Sequence, residues 1–220
     1  MQNNIRIPSC DIPNTISIPS AMRKPRLNAI LSFVEGAKTL ADIGTDHGFL
    51  PIAACMLNKN MRAFACDANP GPLARAVENI KLYGLEDRID TLLGYGLEPL
   101  LDKRNCIYDC VVIAGMGGMN IVEILRSSSD AFRLDGFQLQ KKIKKLIIQP
   151  QRDVQLVRET MFDLGFEITD EVTAEDRGHS YTIIVSKVYT NKCNHVKTSA
   201  SSAIFNETGG VCHDHTMDYR

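Results

Sequence analysis

Asp42-Ile43-Gly44-Thr45-Asp46-His47-Gly48 closes a short apolar run that begins at Thr39, and the apolar stretch Phe49–Leu57 follows at once. A strand ending in a glycine-bearing turn that runs into a helix is the opening unit of an α/β sheet. Gly44 and Gly48 let the backbone turn sharply and approach a ligand closely. A dinucleotide loop would read G-x-G-x-x-G, because a pyrophosphate needs bare backbone amides at a helix start. Here Asp46 occupies the middle small position. An extra carboxylate repels phosphate and suits a cationic ligand. Taken alone, D-x-G-x-x-x-G fits an ordinary strand-to-helix turn equally well.

Outward from this loop the pattern alternates. Upstream, Leu27, Ile30, Leu31 and Val34 recur at helical spacing and stop near Gly36. Downstream, Arg62–Asp67 reads as a strand, and Leu73, Ala76, Val77 and Ile80 mark a helix face that ends at Gly84. Ile89–Gly94 and Asp109–Gly115 are strands, Asn120–Arg126 a helix, and Lys145–Gln149 a strand closed by Pro150. Val154, Val157, Met161 and Leu164 give a further helix stripe, and the strand-like runs Glu167–Val172 and Tyr181–Val188 follow without a helix between them. The pattern predicts an α/β fold of Rossmann-like type. Its seven-stranded sheet is mostly parallel, with an antiparallel edge and helices on both faces.

The chain divides into three segments. Residues 1–25 read as an irregular arm broken by proline, 26–189 as the folded domain, and 190–220 as a polar, disordered tail. The net charge of -1 does not announce nucleic acid, and no apolar run is long enough to span a membrane. A cytoplasmic monomer is expected. The basic residues Arg6, Arg23, Lys24 and Arg26 leave organellar import as an alternative, opposed by the prolines at 8, 13, 19 and 25. No metal is expected. Cys193, His195, Cys212, His213 and His215 in the tail match zinc spacing only loosely.

The remaining candidate residues cluster at predicted strand ends. Asp67 ends the second strand, where an acid accepts hydrogen bonds from ribose hydroxyls, or else caps the helix after Asn69-Pro70. Gly94-Tyr95-Gly96 follows the third strand, and Tyr95 either stacks on a base or is an exposed aromatic in a glycine turn. Ala114-Gly115-Met116-Gly117-Gly118 clears space at the end of a central strand, where ligands bind in open α/β sheets. Gln149-Pro150-Gln151 offers amides able to read a base edge, unless Pro150 merely ends the strand. The basic run Lys141-Lys142-Ile143-Lys144-Lys145 is either a phosphate contact or a solvated loop. S-adenosylmethionine fits an acid-bearing loop followed by Asp67: it carries a sulfonium, an ammonium and no phosphate. Its expected contacts are Asp42, Gly44, Asp46, Gly48, Asp67, Tyr95, Gly96, Ala114, Gly115, Met116 and Gly117.

Together these residues resemble the bacterial tRNA (adenine-N1)-methyltransferase family TrmK. The likeness runs from about Pro25 to Val188. It rests on Leu40–His47 with Phe49-Leu50-Pro51, on Gly84–Ile89, on Ile113-Ala114-Gly115-Met116-Gly117-Gly118 and on Ile147-Ile148-Gln149-Pro150. The resemblance implies a class I methyltransferase fold with the antiparallel ending, S-adenosylmethionine as donor, and transfer to N1 of an adenine in tRNA. Asp46, His47 and Gln149 are the candidate catalytic residues, with His47 equally readable as a structural histidine. Three features depart from the family. Gly94-Tyr95-Gly96 stands where Gly-Asp-Gly is usual, Gln151 replaces an asparagine, and residues 190–220 lack the helical region associated with tRNA binding. Two rival readings are a catalytically silent RNA-binding or interaction protein on this fold, and a methyltransferase acting on another substrate.

Overall fold

The apolar run before the opening loop forms β1 (Thr39–Ile43). It lies inside a seven-stranded sheet, between neighbours on either side, and is buried on both faces. Leu40 joins one apolar layer, while Ala41 and Ile43 join the other. The computed structural model describes residues 18–100, 106–134, 139–176 and 178–188. They belong to a unit spanning Met1–Tyr189; Thr190–Arg220 is a second unit that lies outside the described residues, as does most of the N-terminal arm.

After β1 come α2 (Phe49–Leu57), β2 (Arg62–Asp67), α3 (Pro70–Leu82) and β3 (Ile89–Leu93), preceded by α1 (Pro25–Val34). The chain then crosses to the other side of β1. There it forms β4 (Cys110–Met116), α4 (Gly118–Leu134), the short α5 (Leu139–Lys142), β5 (Lys145–Pro150), α6 (Val154–Asp163), β6 (Phe166–Asp176) and β7 (His179–Val188). The spatial order is β3-β2-β1-β4-β5-β7-β6. The first five strands pair in parallel, and β7 pairs antiparallel to both β5 and β6. This is the expected fold class, with the antiparallel ending in place.

Alternation builds the layers. Cys110 and Val112 of β4 face one cluster; Val111 and Ile113 face the other. In β5, Ile147 faces the first, and Leu146 and Ile148 the second. Strands covered on both sides read as continuous apolar runs for this reason. One boundary differs from the sequence expectation. The helix expected over Asn120–Arg126 runs from Gly118 to Leu134. Its apolar stripe ends at Leu125, and the polar run from Ser127 to Asp130 gives periodicity nothing to register.

The order of the strands creates the site. Successive connections run outward from β1 to β2 and β3, then reverse to β4 and β5. At such a reversal the loops after neighbouring strands part, leaving a crevice at the carboxyl ends of β1 and β4.

Candidate cofactor and acceptor site

A cleft of about 510 Å³ opens at this crevice, within the size range of small-molecule sites. Its walls are Ile43 and Gly44 after β1, Cys66 to Asn69 after β2, and Gly94, Tyr95 and Gly96 after β3. Met116 at the end of β4 and Asn120, Glu123 and Ile124 on α4 complete it. Among the described residues no lysine or arginine lines it, and Asp67 and Glu123 are its carboxylates.

The opening loop is held by the next strand. The Gly44 and Thr45 N–H groups both donate to the Cys66 carbonyl, at 2.8 and 2.9 Å. Gly44 has φ 76°, and a Cβ there would overlap the Met116 Cε, so only glycine fits both the turn and the close approach. The Thr45 hydroxyl is buried beside the Asp42 carboxyl. Gly48, at φ 69°, has a different job: a Cβ there would sit 3.2 Å from the Ala76 Cβ, so it lets α2 start against α3.

Asp42 is buried beneath the loop. Burial pushes its carboxyl up to about 6; the Thr45 hydroxyl beside it opposes the rise, the Asp67 charge adds to it and Arg26 opposes it. Asp67 lies at the end of β2, one carboxylate oxygen accepting the Asn69 N–H at 2.8 Å. Its Oδ1 holds the turn into α3, whose N-cap residue is Asn69. Tyr95 is partly exposed on the cleft wall, and desolvation followed by the nearby Glu123 charge holds its phenol above the usual value.

Of the expected cofactor contacts, Gly44, Asp67, Tyr95, Gly96 and Met116 line the cleft. Ala114, Gly115 and Gly117 sit along its β4 edge, where the strand shifts register between Ala114 and Met116. Asp46 and His47 lie on the rim. Asp46 accepts from the Arg75 guanidinium at 2.8 Å, His47 Nε2 is 3.4 Å from the other Asp46 oxygen, and the imidazole stacks on Phe49.

Gln149 is fully buried at the end of β5 with both ends of its amide engaged. Its Oε1 accepts from Arg26 Nη1 at 2.9 Å, and its Nε2 donates to the Pro150 carbonyl at 2.8 Å. The Arg26 guanidinium also lies over the Tyr181 ring, 5.4 Å from its centre, and packs against Gly115. Gln151 Nε2 donates to the Gly115 carbonyl at 2.8 Å, which anchors the β4 edge. The basic run is partly structural: Lys144 pairs with Asp109 at 2.7 Å, Lys145 donates to the Phe33 carbonyl at 2.7 Å, and Lys142 is buried.

Sequence reading missed Arg26, Asn69, Asn120 and Glu123 as site residues. Arg26 sits far upstream of the motifs, although its place before an apolar helix stripe was visible. Asn120 and Glu123 are ordinary polar positions on a helix, and only the packing of α4 brings them to the cleft.

Residues 23–184 match a family model described as a methyltransferase domain. The Mycoplasma capricolum TrmK, solved with S-adenosyl-homocysteine, superposes with a TM-score of 0.67 at 31% identity, over 79% of this chain and 73% of that one. The chain belongs to the TrmK methyltransferase family. A Streptococcus pneumoniae relative solved with S-adenosyl-L-methionine gives a TM-score of 0.65 at 30% identity, over 77% of this chain and 75% of the other. The tRNA (adenine(22)-N(1))-methyltransferase of Bacillus subtilis is 32% identical over 162 residues, which are 74% of this chain and 63% of the Bacillus protein. The TrmK resemblance read from the motifs therefore stands. The chain matches somewhat less than two thirds of that relative's length.

Proposed function

We propose that this chain is an S-adenosylmethionine-dependent methyltransferase that acts on N1 of an adenine in tRNA, in the cytoplasm. The carrying observation is the cleft at the sheet reversal, walled by carboxylates and free of lysine and arginine among its described residues. A pyrophosphate would be repelled there, whereas a sulfonium cofactor without phosphate is favoured. The solved complexes of the M. capricolum and S. pneumoniae relatives support the cofactor. The B. subtilis relative supports the acceptor.

When bound, S-adenosylmethionine supplies a methyl group activated by its cationic sulfur. Gly44 admits the ligand close to the backbone. Asp67 Oδ2 accepts from ribose hydroxyls. Tyr95 and Gly96 flank the base. The Ala114–Gly117 edge leaves room for the acceptor beside the donor. Arg26 and Arg152 bracket that edge, one against Gly115 and the other against Gly117, which suits an acceptor carrying phosphates. Adenine N1 attacks with a lone pair and carries no proton, so the chain needs no general base for the attack. Its contribution is alignment and proximity. A base paired in tRNA has to be turned out to reach the cleft.

The test is transfer of labelled methyl from S-adenosylmethionine to unmodified tRNA, followed by nucleoside analysis. Label in N1-methyladenosine, lost in Asp67→Ala, is the expected result. Cofactor binding with no label in any RNA would sink the tRNA assignment and leave the methyltransferase site standing.

A further inference from the structure

Three residues of α4 line the cleft: Asn120, Glu123 and Ile124. Their spacing of three and four places them on one helix face. The helix is pressed against the turn after β3, since a Cβ at Gly96 would meet the Ile124 Cγ2 at 3.0 Å. This packing brings Glu123 beside Tyr95 at the β3 end of the cleft, while Asp67 stands at the β2 end. Asp67 and Glu123 are the carboxylates of the cleft's described lining, so a nucleoside held at its ribose by Asp67 has Glu123 as the second anionic acceptor within the same cleft.

Resting on the cofactor reading above, we propose that Glu123 is the specificity residue for the cofactor's base, accepting a hydrogen bond from the adenine 6-amino group while Tyr95 flanks the ring. A carboxylate accepts and cannot donate, so it favours an amine and repels a carbonyl at that position. The turn after β3 contributes no carboxylate of its own: it reads Gly94-Tyr95-Gly96. The acid comes instead from α4. The Tyr95 phenol lies near enough for desolvation and the Glu123 charge to hold it above its ordinary pKa.

The test compares S-adenosylhomocysteine with S-inosylhomocysteine, in which a carbonyl replaces the 6-amine, by calorimetric titration of the full chain. The unaltered protein should prefer the adenosyl ligand by about 10-fold or more, the worth of a charge-assisted hydrogen bond. Glu123→Gln should weaken the adenosyl ligand by about 10-fold and strengthen the inosyl ligand, because the new amide can donate to the carbonyl. Tyr95→Phe should shift the ratio in the same direction by a smaller factor. Glu123 is exposed on the helix, so melting temperatures should stay close to that of the parent and show that the variants fold. An unchanged ratio in Glu123→Gln would overturn the proposal while leaving the cofactor reading intact. Failure of the unaltered chain to bind S-adenosylhomocysteine would overturn both.

Discussion

The two halves of the sheet's carboxyl edge carry similar polar groups and use them differently. From β1 to β3 the groups are less fully bonded. Asp67 spends one oxygen on the Asn69 N–H, and Asp42 is held buried beside the Thr45 hydroxyl at a raised pKa. From β4 to β5 the groups are spent on one another. Gln149 is bonded at both ends, Arg26 is held by Gln149 and Tyr181, and Gln151 is tied to Gly115. The first half is the open one, with Asp67 on the cleft wall. The second is a braced wall.

The largest effect expected in the open half is at Gly44. Gly44→Ala forces a side chain into the left-handed region and into Met116. Titration with S-adenosylhomocysteine should show binding lost, and thermal unfolding a drop on the order of 1–3 kcal/mol. Retained affinity would mean that the loop is not the cofactor turn.

Asp67→Ala comes next. Loss of a charged acceptor should weaken the cofactor product by about 10- to 100-fold with little change in melting temperature.

In the braced half the effect should fall on stability instead. Arg26→Ala leaves the fully buried Gln149 oxygen without its partner. Unfolding should show a loss of about 1–3 kcal/mol. A variant that melts like the parent would show that the wall is not braced in this way.

Asp42 gives a pH signature. Its carboxyl ionises near 6, above its ordinary 3.8. The folded, ligand-free protein therefore holds a proton that the unfolded chain releases, so this group adds stability as pH falls through 6 toward 3.8 and opposes folding above that window. Asp42→Asn should raise the stability of the ligand-free protein at neutral pH by up to about 2 kcal/mol. A cationic ligand prefers the ionised carboxylate, so affinity for S-adenosylmethionine, which keeps the sulfonium charge, should hold above pH 6 and decline below it. An affinity flat down to pH 5 would detach Asp42 from cofactor binding.

The smallest effect is expected on the rim. Asp46→Asn and His47→Ala remove side chains that pair with each other, with Arg75 and with Phe49 outside the cleft lining. Cofactor affinity should change by less than about threefold, as for exposed pairs. Any role in the acceptor step would appear in the rate of transfer to tRNA alone.

The sheet was legible because burial on two faces leaves a continuous apolar signature, as in Val111–Ala114 and Leu146–Ile148. The helices were legible from stripes such as Leu73–Ile80. Glycines that shape loops were equally visible, because only glycine serves at a position such as 44. Gln149 shows the limit. Its residue type advertised an amide able to read a base, yet its bonds go to Arg26, which lies 123 positions away in sequence. The long α4 shows another, since its polar continuation carries no periodic trace.

By itself the sequence determined the fold class, the glycine turn after β1 and the family, because these depend on local backbone freedom and on the order of strands and helices. The tertiary structure decided which polar groups remain free to act. That depends on partners brought together from distant segments: Glu123 beside Tyr95, and Arg26 against Gln149 and Gly115. A side chain's chemistry is written in its residue type, but its unspent hydrogen bonds are set by the neighbours that packing gives it.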